Sequence, residues 1–302
     1  MRLQDNSCTC GAKVSLPLFE TTDFNFHTTE ARTRVLQCAS CGSHFPERFP
    51  LTEDLGQAYA SYYTAAAPRH PAGRALRGLL DVSRGQYLSR ATPPAAGSVL
   101  DYGCGSGAFL LHLSQAGHTA RLVGTDIARP SAADAKAFQW FPVDQLQAQT
   151  LVFDWITLSH VLEHLPDPAA VMQRLRPACT AGGGLWISTP NAHSFLTQVF
   201  GAHSRDVDFP RHRQVFSKQG LTQLLQRAGF EAHFCEVPRV NAALNLVSCL
   251  KNLWRDQDPS LTHKLLVSLS GTLQLLRHWL VTGPNRAHTS PELVVVARPV
   301  GV

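Results

Sequence analysis

The residues best suited to chemistry lie in one glycine-rich stretch, residues 98–113, near the middle of the chain. A short apolar strand pattern leads into three glycines at alternate positions, and an apolar helix pattern follows. The glycines are Gly103, Gly105 and Gly107. Glycine lets the backbone bend sharply and approach a ligand with no Cβ in the way. The first turn of the helix presents free N–H groups, so the stretch predicts a ligand site between a strand and a helix.

Two acidic residues frame this turn and indicate the type of ligand. Asp101 precedes the first glycine, where a carboxylate would repel the pyrophosphate of a dinucleotide but suit an ammonium or sulfonium group. Asp126 ends the next strand pattern, close to the roughly 20-residue offset expected for a carboxylate that binds ribose hydroxyls. Together the two acids favour S-adenosylmethionine as the ligand.

The elements that must position this turn alternate between strand and helix patterns over residues 98–237. Such alternation predicts an α/β fold with a doubly wound, mostly parallel sheet. An apolar segment at 292–297 predicts a last strand inside the sheet. Residues 240–290 form a helical insertion before it, and residues 51–97 form a helical connector. The tyrosines of the connector, which either cover a ligand pocket or pack one domain on the other, are Tyr59, Tyr62 and Tyr63.

Length, composition and charge exclude several classes of protein. The 302 residues have room for one large domain and a smaller appendage, and 44% of them are hydrophobic. The net charge of +5 is mild, and the basic residues are scattered except for a cluster at Arg205, Arg211 and Arg213, so no nucleic-acid partner is expected. Because we find neither an apolar leader nor a long uninterrupted apolar run, we expect a cytoplasmic protein.

Four of the eight cysteines fall within the first 41 residues, in two pairs that each precede a glycine. They are Cys8, Cys10, Cys38 and Cys41. Without an export signal disulfides are not expected, and four thiolates suit a closed, tetrahedral structural zinc site. Residues 1–50 therefore predict a zinc-ribbon-like unit. The first pair is C-x-C rather than C-x-x-C, which leaves two alternatives: a histidine (His27 or His44) in place of one sulfur, or free thiols in a small β unit.

The motifs together resemble those of class I S-adenosylmethionine-dependent methyltransferases, in particular the ubiquinone-biosynthesis O-methyltransferases. Beside the glycine turn, the resemblance rests on Phe-Asp-x-Ile-x-x-x-x-Val-Leu-Glu-His-Leu-Pro-Asp-Pro at 153–168 and on Leu-Leu-x-x-Ala-Gly-Phe at 224–230. It implies a methyltransferase domain over residues 98–302, although it covers 240–290 hardly at all. It also implies methyl transfer to a small-molecule or lipid-linked acceptor, such as a hydroxyl of a sugar, a glycolipid or another secondary metabolite.

The resemblance also assigns roles to individual residues. The methionine part of the donor would be bound by Asp101, Gly103, Gly105 and Gly107, the ribose by Asp126 and the adenine by Ile127. Ser159 or His160 would border the transfer site at the carboxyl end of the fourth strand. An alcohol or phenol acceptor needs a base, and we expect His160 or His212 in that role because histidine titrates near neutral pH. His164 is better explained by a turn that its ring satisfies. A catalytic metal is not favoured, because His160 stands where quinone methyltransferases can carry an acidic ligand.

Other functions remain compatible with the sequence. A nicotinamide oxidoreductase would use G-x-G-x-x-G, and Ala108 can fill the last position, but Asp101 ahead of the glycines argues against it. A zinc-ribbon interaction protein with a non-catalytic methyltransferase-like body is the second alternative.

The insertion likewise has two interpretations. Apolar helix patterns over 244–281 with basic residues at their edges could lie on a membrane and reach a lipid-linked acceptor, which would make the protein peripheral to that membrane. A helical cap buried on the substrate pocket, or a dimer interface, would show the same pattern. We favour burial in such a cap or interface over binding to a membrane. The basic residues are Lys251, Arg255, Lys264 and Arg277.

Overall fold

The structure is a computed structural model that describes residues 1–59, 97–116, 121–130, 137–147, 151–235, 237, 239–280 and 288–301. Most of the predicted helical connector at 51–97, including Tyr62 and Tyr63, lies outside these residues.

Five short strands form two small sheets at the N-terminus. They are β1 (Leu3–Asp5), β2 (Ser15–Thr21), β3 (Thr33–Cys38), β4 (His44–Pro46) and β5 (Arg48–Pro50). Strands β2, β3 and β4 form an antiparallel sheet, and β1 pairs with β5. A 3-10 turn (Thr52–Asp54) and helix α1 (Leu55–Tyr59) follow.

A seven-stranded mixed sheet forms the centre of the molecule. Its strands are β6 (Ser98–Tyr102), β7 (Arg121–Asp126), β8 (Gln139–Pro142), β9 (Phe153–Ser159), β10 (Cys179–Pro190), β11 (Phe230–Cys235) and β12 (Glu292–Pro299). The order across the sheet is β11-β12-β10-β9-β6-β7-β8. The five strands from β10 to β8 are parallel, whereas β12 runs antiparallel to both of its neighbours. The predicted doubly wound, mostly parallel sheet is confirmed, and its last strand lies inside the sheet as predicted.

Helices cover both faces of this sheet and one of its ends. They are α2 (Ala108–Gln115), α3 (Val143–Gln147), α4 (Pro168–Leu175), α5 (Phe195–Phe200), α6 (Lys218–Arg227), α7 (Arg239–Arg255) and α8 (Leu261–Leu280). Their start signals are local: Asp167 accepts a hydrogen bond from the backbone N–H of Ala170, and Ser217 accepts one from Gly220, both at 2.9 Å. Side-chain caps therefore define where α4 and α6 begin.

The apolar core divides according to the two faces of the sheet. Neighbouring residues of β9 show the division, since Trp155 packs with Phe109 of α2 on one face and Ile156 packs with Leu225 of α6 on the other. A third cluster joins α5, α7 and α8. Among the described helices, none is long and apolar enough to cross a bilayer.

The N-terminal unit is attached directly to the sheet domain. His44 forms a β-bridge with Val215, and the backbone N–H of Ser217 donates to the hydroxyl of Ser43 at 3.1 Å. The hydroxyl of Ser217 also donates to the carbonyl of Cys41. The unit and the segment that leads into α6 are therefore packed as one body.

Candidate functional site

The glycine-rich turn lies at the carboxyl edge of the sheet, between β6 and α2. Gly103, Gly105 and Gly107 have φ values of 76°, 54° and 76°, in the left-handed region that favours glycine. A Cβ at Gly103 would collide with the side chain of Val161, which follows β9. The turn therefore needs glycine both for its backbone conformation and for the close approach of a neighbouring segment.

Asp126 connects this turn to the end of β7. Its Oδ2 accepts from the N–H of Gly105 and its Oδ1 from the N–H of Ile127, both at 2.7 Å. A carboxylate has about four acceptor positions, so Asp126 can hold the turn and still accept two ligand hydroxyls. Ile127 is 88% exposed and offers an apolar surface beside it. These are the predicted ribose and adenine positions, and the structure brings them together.

Asp101, which was expected to contact the methionine part of the donor, is buried inside the protein. Its side chain is fully buried between strands, and its Oδ1 accepts from the hydroxyl of Thr157 on β9 at 2.5 Å. A contact between this carboxylate and the ammonium group of a donor stays a prediction.

His160 follows β9 directly and lies between two carboxylates. Its Nδ1 is 3.2 Å from Glu163 Oε1, and its Nε2 is 3.6 Å from Glu292 Oε1. Burial alone would lower the pKa of His160, but the interactions with Glu163 and Glu292 outweigh burial and raise this pKa to about 10. His160 is therefore an imidazolium at neutral pH. The preceding residue, Ser159, pairs in register with Ser188 of β10.

His212, in contrast to His160, has a lowered pKa. It is buried, and its Nδ1 lies 2.8 Å from the carbonyl oxygen of Asp206, which identifies Nδ1–H as the donor. Burial and the neighbouring His164 lower the pKa of His212 to about 4, outweighing the opposite effect of Asp208. At neutral pH the ring is therefore neutral, with Nε2 as its acceptor.

His164 connects these groups to the N-terminal part of the chain. Its ring centroid is 4.7 Å from that of His212, edge to face. Its Nδ1 lies 3.0 Å from the hydroxyl of Tyr59 and 3.2 Å from the carbonyl oxygen of Arg211. These contacts agree with a structural role for His164, and they place Tyr59 of the connector next to the site.

Glu163, His164 and His212 each offer a ligand atom within 4.8 Å of the others, as in a divalent-metal site. However, both oxygens of the Glu163 carboxylate already have partners within the protein. One oxygen pairs with His160 and the other accepts from the Thr189 hydroxyl at 2.9 Å. Because His160 supplies the positive charge that a metal would bring, we assign no catalytic metal here.

Sequence reasoning missed Glu292 as a member of this site. It lies 132 positions after its partner His160, at the start of β12. A single acid at the beginning of an otherwise apolar strand was the available signal.

The four N-terminal cysteines form one cluster. Cys8 Sγ lies 3.5 Å from Cys41 Sγ, Cys10 Sγ lies 3.4 Å from Cys38 Sγ, and all four sulfurs are within 4.8 Å of one another. A tetrahedral zinc ion with Zn–S bonds of about 2.3 Å needs sulfurs roughly 3.8 Å apart, whereas a disulfide needs about 2 Å. The cluster therefore fits zinc, and the group of described residues that forms it contains neither His27 nor His44.

We expect the purified protein to carry about one zinc ion per chain. Cys38→Ser should remove the zinc and lower the melting temperature, because a structural ion contributes folding free energy. Cys235→Ser, at a cysteine outside the cluster, is the matched control and should retain zinc. Elemental analysis and thermal unfolding measure both effects, and a zinc-free wild-type sample would exclude the site.

A family model described as a methyltransferase domain matches residues 69–233, more than half of the chain. The chain belongs to this methyltransferase family. The match includes the glycine-rich turn, Asp126, His160 and His212. The four cysteines, α7, α8 and Glu292 lie outside the matched range.

Curated relatives and solved structures agree with this assignment. The ubiquinone biosynthesis O-methyltransferase of Xanthomonas axonopodis pv. citri is 33% identical over 169 residues, 50% of this chain and 70% of the relative. That of Bordetella pertussis is 34% identical over 117 residues, 34% of this chain and 48% of the relative. The chain thus spans about half to two thirds of the length of such relatives.

A solved Burkholderia thailandensis 1,6-didemethyltoxoflavin-N1-methyltransferase, with bound 1,6-didemethyltoxoflavin and S-adenosylhomocysteine, has the same fold. Its TM-score is 0.50 at 15% identity, and the match covers 94% of this chain and 99% of that one. At this identity the likeness concerns the fold alone.

Proposed function

We propose that this methyltransferase transfers the methyl group of S-adenosylmethionine to a hydroxyl group of a small-molecule acceptor, such as a sugar, a glycolipid or another secondary metabolite. The observation that carries the proposal is the Asp126 carboxylate, joined to a positive-φ glycine turn at the carboxyl edge of a parallel sheet. An oxygen acceptor is supported by the O-methyltransferase names of the curated relatives.

The residues of the turn would position the donor. The glycines let the backbone approach the methionine part, Asp126 accepts from the ribose hydroxyls, and Ile127 packs against the adenine. The donor supplies a methyl group on a sulfonium, so the protein must chiefly hold donor and acceptor in line.

His212 is the better of the two expected bases. Its Nδ1–H is fixed on the carbonyl of Asp206, so its neutral Nε2 is the atom that can take a hydroxyl proton. His160 already carries a proton at neutral pH. As an imidazolium between Glu163 and Glu292 it would position the end of β9.

Calorimetric titration with S-adenosylmethionine, S-adenosylhomocysteine and NADH tests the donor. Micromolar binding of the first two and none of NADH is the expected result. Binding of NADH alone would support the oxidoreductase, and no binding would support a non-catalytic body. Nucleotide sugars, glycolipids and quinols would then be screened as acceptors by release of S-adenosylhomocysteine.

With an acceptor from this screen, His212→Ala is expected to lower kcat about a hundredfold or more, the usual contribution of a general base. Because the pKa of His212 lies near 4, the base is neutral throughout the neutral range. The wild-type rate should therefore be flat between about pH 6 and 8, whereas a histidine of ordinary pKa near 6.5 would lose rate over this range as the pH falls.

His233→Gln, at an exposed histidine on β11, is the matched control and should keep the wild-type rate. Full turnover by His212→Ala would remove His212 from the mechanism without affecting the donor site.

A further inference from the structure

The outward face of α8 is a continuous apolar surface. Seven leucines point to solvent with relative exposures of 53–83%. They are Leu261, Leu265, Leu266, Leu269, Leu273, Leu276 and Leu280. At 3.6 residues per turn they span about 140° of the helix circumference. Single exposed leucines are ordinary, but a continuous stripe of this length marks an interaction surface.

The opposite face fixes this orientation. Gly271 packs so closely on Phe200 of α5 that an added Cβ would lie 2.6 Å from the ring. His278 is buried with its ring centroid 5.2 Å from that of Phe195. Together with Val267 and Leu275, which pack into the apolar cluster of α5 and α7, these contacts hold α8 on the protein and direct the leucines outward. The alternative in which these leucines are buried on the substrate pocket is therefore wrong for α8, whereas the dimer interface favoured with it stays a prediction.

The charged residues of the two helices are all basic, whereas Asp256 and Asp258 lie in the connection between the helices. Neither α7 nor α8 contains an aspartate or a glutamate. Lys251 and Arg255 of α7 and Arg277 of α8 are exposed, whereas Lys264 donates to the carbonyl of Asp256. The surface therefore combines an apolar stripe with a basic border, which complements anionic groups.

Two tryptophans extend the stripe. Trp254 of α7 and Trp279 of α8 are each 46% exposed. The indole N–H of Trp254 donates to the Ser268 hydroxyl at 3.1 Å, so this ring lies against α8. Tryptophan is enriched where a protein meets the boundary between lipid headgroups and acyl chains.

We propose that α8 docks the protein on the surface of an anionic membrane, with the leucines at the acyl boundary and the basic residues among the headgroups. Leucine and tryptophan on one face with lysine and arginine at its edges are typical of helices that lie in the interface. A second copy of the chain fits less well, because a two-fold interface would bring the same basic border against itself.

The docking surface is also connected to the candidate site. On α7, the amide of Asn241 donates to Glu292 Oε2 at 3.1 Å, and Glu292 pairs with His160. The docking itself does not depend on methyl transfer.

Flotation with vesicles tests the proposal directly. One set contains phosphatidylcholine with about 30% phosphatidylglycerol and the other phosphatidylcholine alone, each at low and high salt. We expect the wild type to float with the anionic vesicles, and salt to weaken the binding by screening the basic border. The double variant Leu269→Glu/Leu273→Glu should bind at least about tenfold less, because it places charge in the apolar stripe.

Val300→Glu is the matched control, since Val300 is 51% exposed and follows the end of β12 that pairs with the start of β11. Thermal unfolding should show that all variants fold, because the substituted side chains are exposed. Equal flotation of the double variant and the wild type would overturn the proposal. The proposal would also be overturned if the wild type were a dimer that does not bind vesicles and the double variant were a monomer.

Discussion

Replacing Asp126 with alanine is expected to weaken the binding of S-adenosylhomocysteine at least about a hundredfold. The carboxylate would make two charge-assisted hydrogen bonds to the ribose, each contributing about 1.5–3 kcal/mol. It also holds the N–H groups of Gly105 and Ile127 at 2.7 Å, so the variant loses preorganisation of the turn as well as ligand contacts. Calorimetric titration measures the loss.

The matched control is Asp258→Ala, at an exposed aspartate between α7 and α8. It should bind S-adenosylhomocysteine as the wild type does. The melting temperature of Asp126→Ala without ligand should stay within a few degrees of the wild-type value, because Asp126 lies at the surface edge of the sheet. Undiminished affinity in Asp126→Ala would show that the donor is bound elsewhere.

Arg211→Met is expected to lower the free energy of unfolding by about 3–5 kcal/mol, because it leaves two buried carboxylates unpaired. The guanidinium is fully buried, with Nη2 2.5 Å from Asp23 Oδ1 and 2.7 Å from Asp208 Oδ1. Its Nη1 donates to the carbonyl of Ala58 at 3.0 Å, and its Cζ lies 4.4 Å from the centroid of the Phe26 ring. The melting temperature should fall by roughly 10 °C.

Arg34→Met is the matched control for an exposed pair. Arg34 is 2.6 Å from Glu47, but the two side chains are 54% and 36% exposed, so the loss of stability should be much smaller than in Arg211→Met. Adding Asp23→Asn and Asp208→Asn to Arg211→Met should restore part of the stability, since it removes the unpaired charges. An equal decrease in the free energy of unfolding of Arg211→Met and Arg34→Met would contradict this account.

The pKa of Asp23 determines how the stability of the folded protein changes with pH. Burial alone would raise the pKa of this carboxyl, but the hydrogen bonds and charge of Arg211 outweigh burial and lower it. A lowered folded-state pKa means that the stabilisation is complete above the ordinary Asp pKa of about 4 and is lost as the pH falls through the folded-state value. As the pH falls from neutral to acidic, the free energy of unfolding should therefore decrease more steeply in the wild type than in Arg211→Met.

The same network links the N-terminal unit to the candidate base. Asp208 Oδ2 lies 3.8 Å from His212 Nε2, and Asp23 belongs to the loop between β2 and β3. The N-terminal unit thus holds the segment that carries His212 in place. A zinc site in this unit would act on catalysis only through such positioning.

The sequence by itself determined the parts of this protein that depend on local physics. The glycine turn requires left-handed backbone at fixed positions, strand and helix periods are set over a few residues, and Asp167 and Ser217 cap the helices that follow them. These signals were sufficient to predict the sheet, the glycine turn next to Asp126 and the gathering of the four cysteines into one cluster.

Only the tertiary structure decided what surrounds each side chain. Arg211 belongs to a basic cluster in the sequence but is buried between two acids. His160 carries a proton because it pairs with Glu163, three residues away in the chain, and with Glu292, which β12 brings to it. The period of α8 predicts an apolar face, but the packing of Gly271 and His278 on α5 decides that this face is open. Burial and charge depend on contacts between segments far apart in the chain, and these determine pKa and exposure where residue type and spacing do not.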